Sequence, residues 1–329
     1  MEISKLISIA VLGLVSGVLG MVANAAAETF TPINFPKATA TDPLGINSAG
    51  DIVGRYMRAD GSTHGYVRLS AVNTIGPLQN RGRRFFTIDC PGANFTVAAG
   101  INDRGEIVGQ CGAGRGPQAV RHGFLLKNGF IAITPSGAVF TNALGISGTS
   151  KIVGRYCTRL PCVPQNQHGF LMDRGQYSTI NFPGAAGTIA GTNAWGINDR
   201  GEIVGGYQGT NGKSHLYLSR QNQFATIDFP NGVDPNAVDT APLGLKGGIN
   251  SGGDIVSYYC NLEPCSANNT LQLDNDSEHG FLLSHGGAFR RIDVPGSHGT
   301  LTFGINDRGD IVGSYHDANR KEHSFLLKQ

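Results

Sequence analysis

Six histidines could act as metal ligands, because each begins a similar short segment of the chain. Two of these segments read His-Gly-Phe-Leu-Leu and the others are variants of it, and the six residues are His64, His122, His168, His215, His279 and His323. Metal ligands must meet within about 2 Å of one ion. If the repeats form a ring with one histidine in each repeat, the six side chains lie on a circle too wide for them to reach one ion. We therefore predict no metal site and expect structural hydrogen bonds within each repeat.

A second set of candidates consists of side chains that the repeats do not share. Function in a repeat protein belongs where the repeats differ, since unequal loops break the symmetry and can build a unique site. We predict a ligand surface near the channel, on the face with the long loops, formed by Arg115, Arg159, Trp195, Asp239, His298, His316 and Asp317. Trp195 could offer a stacking surface or pack in the core. In an enzyme, several of the ionisable members should converge within hydrogen-bond reach.

Searches for motifs of known chemistry name no catalytic residue and no cofactor. Gly-x-Ser-x-Gly, His-Glu-x-x-His and Cys-x-x-Cys are absent from the sequence. The acidic segment 274–278 resembles the start of a calcium loop, but Glu278 and His279 stand where an oxygen ligand and glycine are needed. A calcium site and a solvated loop both remain open there. A net charge of +2 does not indicate a strongly basic surface of the kind that binds nucleic acid.

One repeated element must position these candidates, the segment Gly-Ile-Asn-Asp-Arg-Gly-Glu-Ile-Val-Gly at 100–109 and its relatives. The six copies cover 45–54, 100–109, 145–154, 196–205, 248–257 and 304–313. Their Ile-Val and Gly-Ile pairs favour strands, whereas Asn, Asp and Gly favour the turn between them. A period of about 40 to 50 residues is typical of propellers and solenoids. Each copy therefore predicts a β-hairpin within a repeated all-β unit.

The remaining motifs complete a four-stranded unit and close the ring. Each repeat continues with His-Gly-Phe and then with Phe-x-x-Ile-Asp-x-Pro-Gly, as at 85–92, and a tight turn joins the two in most repeats. The last repeat ends one strand short, while 30–36 (FTPINFP) is an unattached copy of the fourth strand. We predict a β-propeller of six four-stranded blades in which 30–36 completes the last blade, since closure hides two sheet edges.

The first 27 residues predict a secretory signal peptide. Lys5 precedes an apolar run at 6–23, and Ala23-Asn24-Ala25 offers small residues for signal peptidase. A retained membrane anchor is the alternative. We expect a single propeller domain over 28–329, with no later membrane span, in a monomer that is secreted or periplasmic.

Six cysteines in an exported chain favour disulfides over metal thiolates. Two pairs lie within single loops, which predicts 157–162 and 260–265. Cys90 stands where other repeats have Phe35 or Phe182, and Cys111 stands where they have tyrosine. If those positions touch in every repeat, a 90–111 disulfide replaces a packing contact. The alternative is a pair of free buried thiols. The predicted residues are Cys90, Cys111, Cys157, Cys162, Cys260 and Cys265.

These repeats resemble the HAF-repeat family of bacterial extracellular proteins, in which Gly-Ile-Asn-Asp-x-Gly-x-Ile-Val-Gly precedes His-Gly-Phe. The resemblance covers almost the whole mature chain and implies export and a repeated β-fold, but no active site. The chain departs from the pattern at Ser257, which replaces the closing glycine, and at 215–217, which reads His-Leu-Tyr.

Two classes of function remain open at this stage. A secreted binding or structural module would engage a glycan, a cell-envelope component or a protein through its variable face. A secreted hydrolase or lyase would carry its site at the central channel. Neither class requires a cofactor, and the sequence does not decide whether the protein is an enzyme.

Overall fold

A computed structural model describes residues 28–70, 84–113, 119–162, 166–183, 191–208, 214–227, 247–260 and 278–329. The predicted signal peptide lies outside these ranges. The described residues form strands and turns without an α-helix, so no helix among them could cross a membrane. Their 24 strands are arranged as six antiparallel blades of four. The predicted six-bladed propeller is confirmed.

Each blade begins with the strand that leads into the repeated turn, as predicted. Blade 1 contains β2 (Ala40–Ile46), β3 (Ile52–Met57), β4 (Thr63–Arg68) and β5 (Phe85–Ile88). Blade 2 contains β6 (Phe95–Ile101), β7 (Ile107–Ala113), β8 (Val120–Leu126) and β9 (Phe130–Ile133). Blade 3 contains β10 (Phe140–Ile146), β11 (Ile152–Cys157), β12 (Gln167–Asp173) and β13 (Gln176–Ile180).

The second half of the ring repeats this order. Blade 4 contains β14 (Thr192–Ile197), β15 (Ile203–Gln208), β16 (Ser214–Arg220) and β17 (Gln223–Ile227). Blade 5 contains β18 (Gly248–Ile249), β19 (Ile255–Cys260), β20 (Glu278–Leu283) and β21 (Phe289–Ile292). Blade 6 contains β22 (Thr300–Ile305), β23 (Ile311–His316) and β24 (Glu322–Leu327), and its fourth strand is β1 (Phe30–Pro32).

The first strand of the described chain closes the ring by pairing with the last. Phe30 lies opposite Leu327 in an antiparallel register, and Ile33 N donates a further bond to Ser324 O at 3.0 Å. Ile33 is 1% exposed and belongs to a core cluster with Tyr66 and other residues of blade 1 and blade 6. The predicted closing strand is thus confirmed, although the strand itself is shorter than 30–36.

Glycines allow the inner strands of neighbouring blades to approach one another. A Cβ on Gly100 would lie 2.9 Å from Leu144 O, and one on Gly304 would lie 3.2 Å from the Cα of Gly45, across the closure. The same position is glycine in all six copies of the repeat. A larger side chain at these positions would push adjacent blades apart, so the glycine of Gly-Ile-Asn is a packing requirement.

The turn after each inner strand also binds the next blade. Asn102 Nδ2 donates to Ser147 O at 3.0 Å, and Asn306 Nδ2 donates to Asn47 O at 3.0 Å, which continues the ring across its closure. Asn47, Asn198 and Asn250 make the equivalent bond. These side chains are buried. The Asn of the repeat therefore fixes the spacing of the blades as well as its own turn.

Blade 3 lacks this bond because Ser147 occupies the asparagine position, and its shorter hydroxyl instead contacts Thr149 Oγ1 at 2.9 Å. We expect Ser147→Asn to raise the free energy of unfolding by about 1 kcal/mol, since it would add a buried hydrogen bond to Asn198 O. Urea unfolding of the purified protein measures this. Ser147→Ala is the matched control and should destabilise. Equal or lower stability of Ser147→Asn would contradict the ring interpretation.

The repeat histidines make structural contacts, as predicted. His64 Nδ1 lies 2.9 Å from Asp89 Oδ1, His168 Nδ1 lies 2.9 Å from Asn181 Oδ1, and His279 bonds its own blade in the same way. Each of these rings also lies against the tyrosine of the second strand, as in the Tyr56–His64 pair at 5.1 Å between centroids. The histidines thus join the second, third and outermost strands.

The disulfide between Cys90 and Cys111 joins blade 1 to blade 2, with the two Cα atoms 6.2 Å apart. At the equivalent positions, Phe35 stacks on Tyr56 with centroids 3.7 Å apart, and Phe182 stacks on Tyr207 at 3.6 Å. The predicted replacement of a packing contact by a disulfide is confirmed. The local Cys157–Cys162 disulfide is also present. The predicted 260–265 pair lies outside the described residues, because Cys265 does.

Candidate ligand-binding site on the loop face

The two faces of the ring differ in how regular they are. The turn face carries the six short turns between first and second strands, at 47–51, 102–106, 147–151, 198–202, 250–254 and 306–310. The loop face carries the second-to-third loops and the links between blades, whose lengths differ from blade to blade. The sequence between β4 and β5, from 69 to 84, is also long. The loop face therefore holds most of the features that distinguish one blade from another.

A belt of polar side chains lies between the blades near the loop-face ends of their inner strands. Its members occupy repeat positions where no residue type is maintained around the ring, and most of them are buried. We call this set the loop-face belt: Asp42, Arg55, Arg121, Asn142, Arg155, Gln167, Asn193, Glu278 and Glu322. Burial of polar groups costs free energy unless their hydrogen bonds are satisfied. Closing the ring does not require these buried polar groups, so the belt lowers the stability of the fold wherever its hydrogen bonds are unsatisfied.

The acidic part of the belt lies where blade 6 meets blade 1. Arg55 Nε donates to Asp42 Oδ2, and both side chains are about nine-tenths buried. Glu322 of blade 6 lies close to the Asp42 carboxyl. Burial and the adjacent negative charge of Asp42 raise the pKa of Glu322 well above its usual range. This junction therefore brings the Arg55–Asp42 ion pair next to a carboxyl group whose raised pKa favours its protonated form.

Glu278 of blade 5 is a second buried acid, 7% exposed, whose Oε2 has no hydrogen-bond partner. Burial raises its pKa from 4.5 to about 8. As pH rises from 4.5 to 8, the unfolded chain loses this proton while the folded protein retains it, so the stability contributed by this group falls. Below pH 4.5 both states are protonated and the effect disappears.

We therefore expect Glu278→Gln to raise the free energy of unfolding at pH 7 by on the order of 2 kcal/mol, with no gain at pH 4. Thermal and urea unfolding between pH 4 and 8 measure this. Glu106→Gln on the turn face is the opposite control. Burial raises the pKa of Glu106, but hydrogen bonds from Lys127 and Ser150 outweigh it and lower the pKa to about 2. That variant should lose stability at pH 7. A Glu278→Gln protein with an unchanged pH profile would contradict the assignment.

The basic part of the belt lies on blades 2 and 3. Arg121 is 5% exposed, and its guanidinium carbon lies 3.5 Å from the centroid of the Phe95 ring. Arg155 is 2% exposed, lies over the Phe140 ring at 5.7 Å, and donates from Nη1 to Gln167 Oε1 at 3.4 Å. Burial, followed by the positive charges of Arg55 and Arg155, lowers the pKa of Arg121 to about 10. Cations thus gather on one side of the ring and acids on the other.

Three of the predicted site residues come together in blade 6. His298 N donates to His316 O at 2.8 Å, and Asp317 directly follows His316, which is 4% exposed. The Asp317 carboxylate serves its own turn, because its Oδ1 accepts bonds from the backbone of Asn319 and of the residue at 321. A hydrogen bond from His323, followed by these backbone bonds, lowers the pKa of Asp317 to about 2.

The other predicted site residues do not form one cluster. Trp195 lies on the inner strand of blade 4, half-buried, where it packs against the cluster around Ile249 of blade 5. Its Nε1 is buried with no hydrogen-bond partner. Arg159 is exposed beside the Cys157–Cys162 loop. Arg115 and Asp239 lie outside the described residues. Convergence of the full predicted set thus stays a prediction.

Sequence reasoning missed the belt, although a signal for it was present. The residue before each repeat histidine is polar in every copy and differs between most copies, namely Thr63, Arg121, Gln167, Ser214, Glu278 and Glu322. The position before the repeat tyrosine varies in the same way, with Arg55, Gln110, Arg155, Gly206, Tyr258 and Ser314. The candidate site was therefore indicated by residue types that vary between repeats at equivalent strand positions, and not by variation in the loops.

One solved structure with a TM-score of 0.50 supports the fold, and two further structures are similar at lower scores. A lectin from Aleuria aurantia, solved with Fucα1-6GlcNAc, has a TM-score of 0.50 and 12% identity over 87% of this chain and 91% of that chain. The β-propeller domain of the Trilobed protease from Pyrococcus furiosus gives 0.48 and 14%, over 88% and 81%. TolB from Acinetobacter baumannii gives 0.47 and 11%, over 87% and 65%. No protein-family model and no curated protein sequence matches the chain.

Identities this low establish the architecture alone. By its fold, the protein belongs to the class of β-propellers. Within that class it is a six-bladed ring with a regular turn face and a loop face carrying a non-repeating, largely buried polar belt.

Proposed function

We propose that this protein is an exported binding module whose loop face holds a glycan or a protein of the cell envelope. The observation that carries the proposal is the contrast between the two faces. On the turn face, buried polar groups recur from blade to blade and bond the blades together. On the loop face, the buried polar groups vary around the ring, and several of their polar atoms have no hydrogen-bond partner.

Export is supported by three features. The first 27 residues have the composition of a signal peptide, two disulfides are present, and the repeats resemble those of the HAF family. Disulfides form and persist in oxidising compartments.

The proposal is tested by screening the purified protein, without its first 27 residues, against neutral and acidic glycans and envelope extracts. Binding should weaken in His316→Ala and Arg159→Ala, which change the loop face. It should persist in Arg104→Ala and Arg308→Ala, which change the turn face and remove exposed arginines. Loss of binding only in Arg104→Ala and Arg308→Ala would show that the site lies on the turn face and would contradict the proposal. If the protein binds no glycan and no envelope component, the proposed binding function is refuted.

A second function, hydrolysis or elimination at the channel, is favoured by one observation. Glu278 and Glu322 both have raised pKa values, and a carboxylic acid that stays protonated at neutral pH can act as a general acid. Generic glycoside and ester substrates test this alternative. Turnover that Glu322→Gln abolishes would support it, and turnover unaffected by both Glu278→Gln and Glu322→Gln would exclude these acids.

A further inference from the structure

The strongest candidate for a specific ligand site is the basic part of the loop-face belt. Arg121 of β8 pairs with Phe140 of β10 in a parallel bridge between blades 2 and 3. Asn142 lies two residues along β10, and Arg155 of β11 is its cross-strand partner. Residues two apart on a strand share a face, and so do directly paired residues. The four side chains therefore lie on one side of the sheet, in a single patch.

This patch contains polar atoms that the protein leaves unsatisfied. Arg121 is 5% exposed, and its Nη1 has no hydrogen-bond partner. Asn142 is 1% exposed, and neither its Nδ2 nor its Oδ1 has a partner. Among the described residues, no carboxylate forms an ion pair with Arg121. Most buried polar groups in proteins are satisfied, so two adjacent exceptions need an explanation.

The chemistry of these atoms specifies what would satisfy them. A guanidinium presents a planar fork of donors that matches a carboxylate. Asn142 offers a donor and an acceptor, and a hydroxyl group can engage both. A group that carries a carboxylate next to hydroxyls meets both requirements. The Phe95 and Phe140 rings lie against the guanidinium groups of Arg121 and Arg155 and help to hold both cations in the patch.

We propose that Arg121 and Asn142 bind the carboxylate and an adjacent hydroxyl of an acidic sugar, a uronic acid, that enters from the loop face. This proposal rests on the proposed binding function and names its ligand class. Val120 is the first residue of β8 and Arg121 the second, so the patch lies at the loop-face end of that strand. Arg155, whose Nη1 donates to Gln167 Oε1, adds positive charge to the same patch. The lowered pKa of Arg121 agrees with a cation that lacks a counter-ion in the free protein.

The main experiment compares glucuronate with glucose by calorimetry and by thermal shift on the disulfide-bonded protein. Glucuronate should bind and raise the melting temperature, whereas glucose should not. Arg121→Met should weaken glucuronate binding by about tenfold or more, as expected for a lost hydrogen bond to a charged group. Arg58→Gln is the matched control, because Arg58 is an exposed loop-face arginine over the Tyr56 ring, and its affinity should be unchanged.

The stability of the free variant separates a binding role from a structural one. If Arg121 exists for a ligand, Arg121→Met removes an uncompensated buried charge, and the free protein should melt at the same or a higher temperature. A lower melting temperature with unchanged glucuronate binding would show that Arg121 only supports the fold. Asn142→Leu should weaken glucuronate but leave acetate, which has no hydroxyl, unaffected.

Further ligands show whether binding requires a sugar acid or only a negative charge. Inorganic sulfate and phosphate should bind more weakly than glucuronate, because they lack the adjacent sugar hydroxyl that Asn142 would bind. Equal binding of all three anions would overturn the sugar assignment. Binding of neutral glycans that is unchanged in Arg121→Met would retain the proposed binding function while refuting this inference. Absence of binding to every glycan would refute both.

Discussion

A chain that begins at residue 39 should be far less stable than one that begins at residue 28. The deletion removes β1, which completes blade 6, and with it Ile33 and Phe35. Ile33 is 1% exposed, and Phe35 stacks on Tyr56. Truncating a buried Ile costs about 2 to 5 kcal/mol, and a buried Phe about 3 to 5 kcal/mol. We expect a loss of more than about 5 kcal/mol, measured by urea unfolding.

Two controls make this result specific to closure. Removing Lys328 and Gln329 from the other end, where both residues are exposed, should have little effect. A synthetic peptide of residues 28–38 should restore part of the lost stability when added to the shortened chain, since it can pair again with β24. If the shortened chain melts at the same temperature as the longer one, the ring does not depend on its first strand.

Removing the disulfide between blades 1 and 2 should have the next largest effect. The chain-entropy treatment assigns about 3 kcal/mol to the loop closed by the 21-residue separation of Cys90 and Cys111. Cys90→Ser with Cys111→Ser should therefore lose about that much stability. The other repeats suggest a rescue, because the same two positions hold the Phe35–Tyr56 and Phe182–Tyr207 stacks. Cys90→Phe with Cys111→Tyr should recover a large part of the loss.

A double-mutant cycle decides whether the rescue is a pairwise contact. Each single variant, Cys90→Phe or Cys111→Tyr, should remain destabilised, because a lone aromatic ring lacks its stacking partner. The Cys157–Cys162 disulfide is the comparison, since it closes a separation of only 5 residues and should contribute less. Additive single and double variants would show that the two positions do not interact as they do in the other blades.

The blade architecture could be predicted from the sequence because the features that build it are local and repeated. The turn residues, the glycine before Ile and the apolar pairs act within a few residues of one another, and six copies make the pattern unmistakable. The unattached strand at the start of the chain and the missing strand at its end also predicted closure. Even the Cys90–Cys111 pair followed from comparing equivalent positions, since equivalent residues meet in every repeat of a ring.

The candidate site could not be predicted in the same way. The unequal loops of the repeats indicated a site in those loops, with candidates such as His316, Asp317 and Arg159. Asp317 is taken up by its own turn, whereas Arg121 and Asn142 lie within strands that otherwise follow the repeat. Nothing in the sequence distance between these two residues indicates that β8 and β10 adjoin.

The sequence by itself determined the number of blades, their strand order, the closing strand and the one cysteine pair that replaces a repeat contact. Only the tertiary structure decided which variable positions face one another between blades. Contacts between blades join residues far apart in the chain, and their charge and burial depend on the neighbours that the ring brings together. An arginine beside Phe95 and an asparagine opposite Arg155 become a pair with unsatisfied hydrogen bonds only when blades 2 and 3 pack side by side.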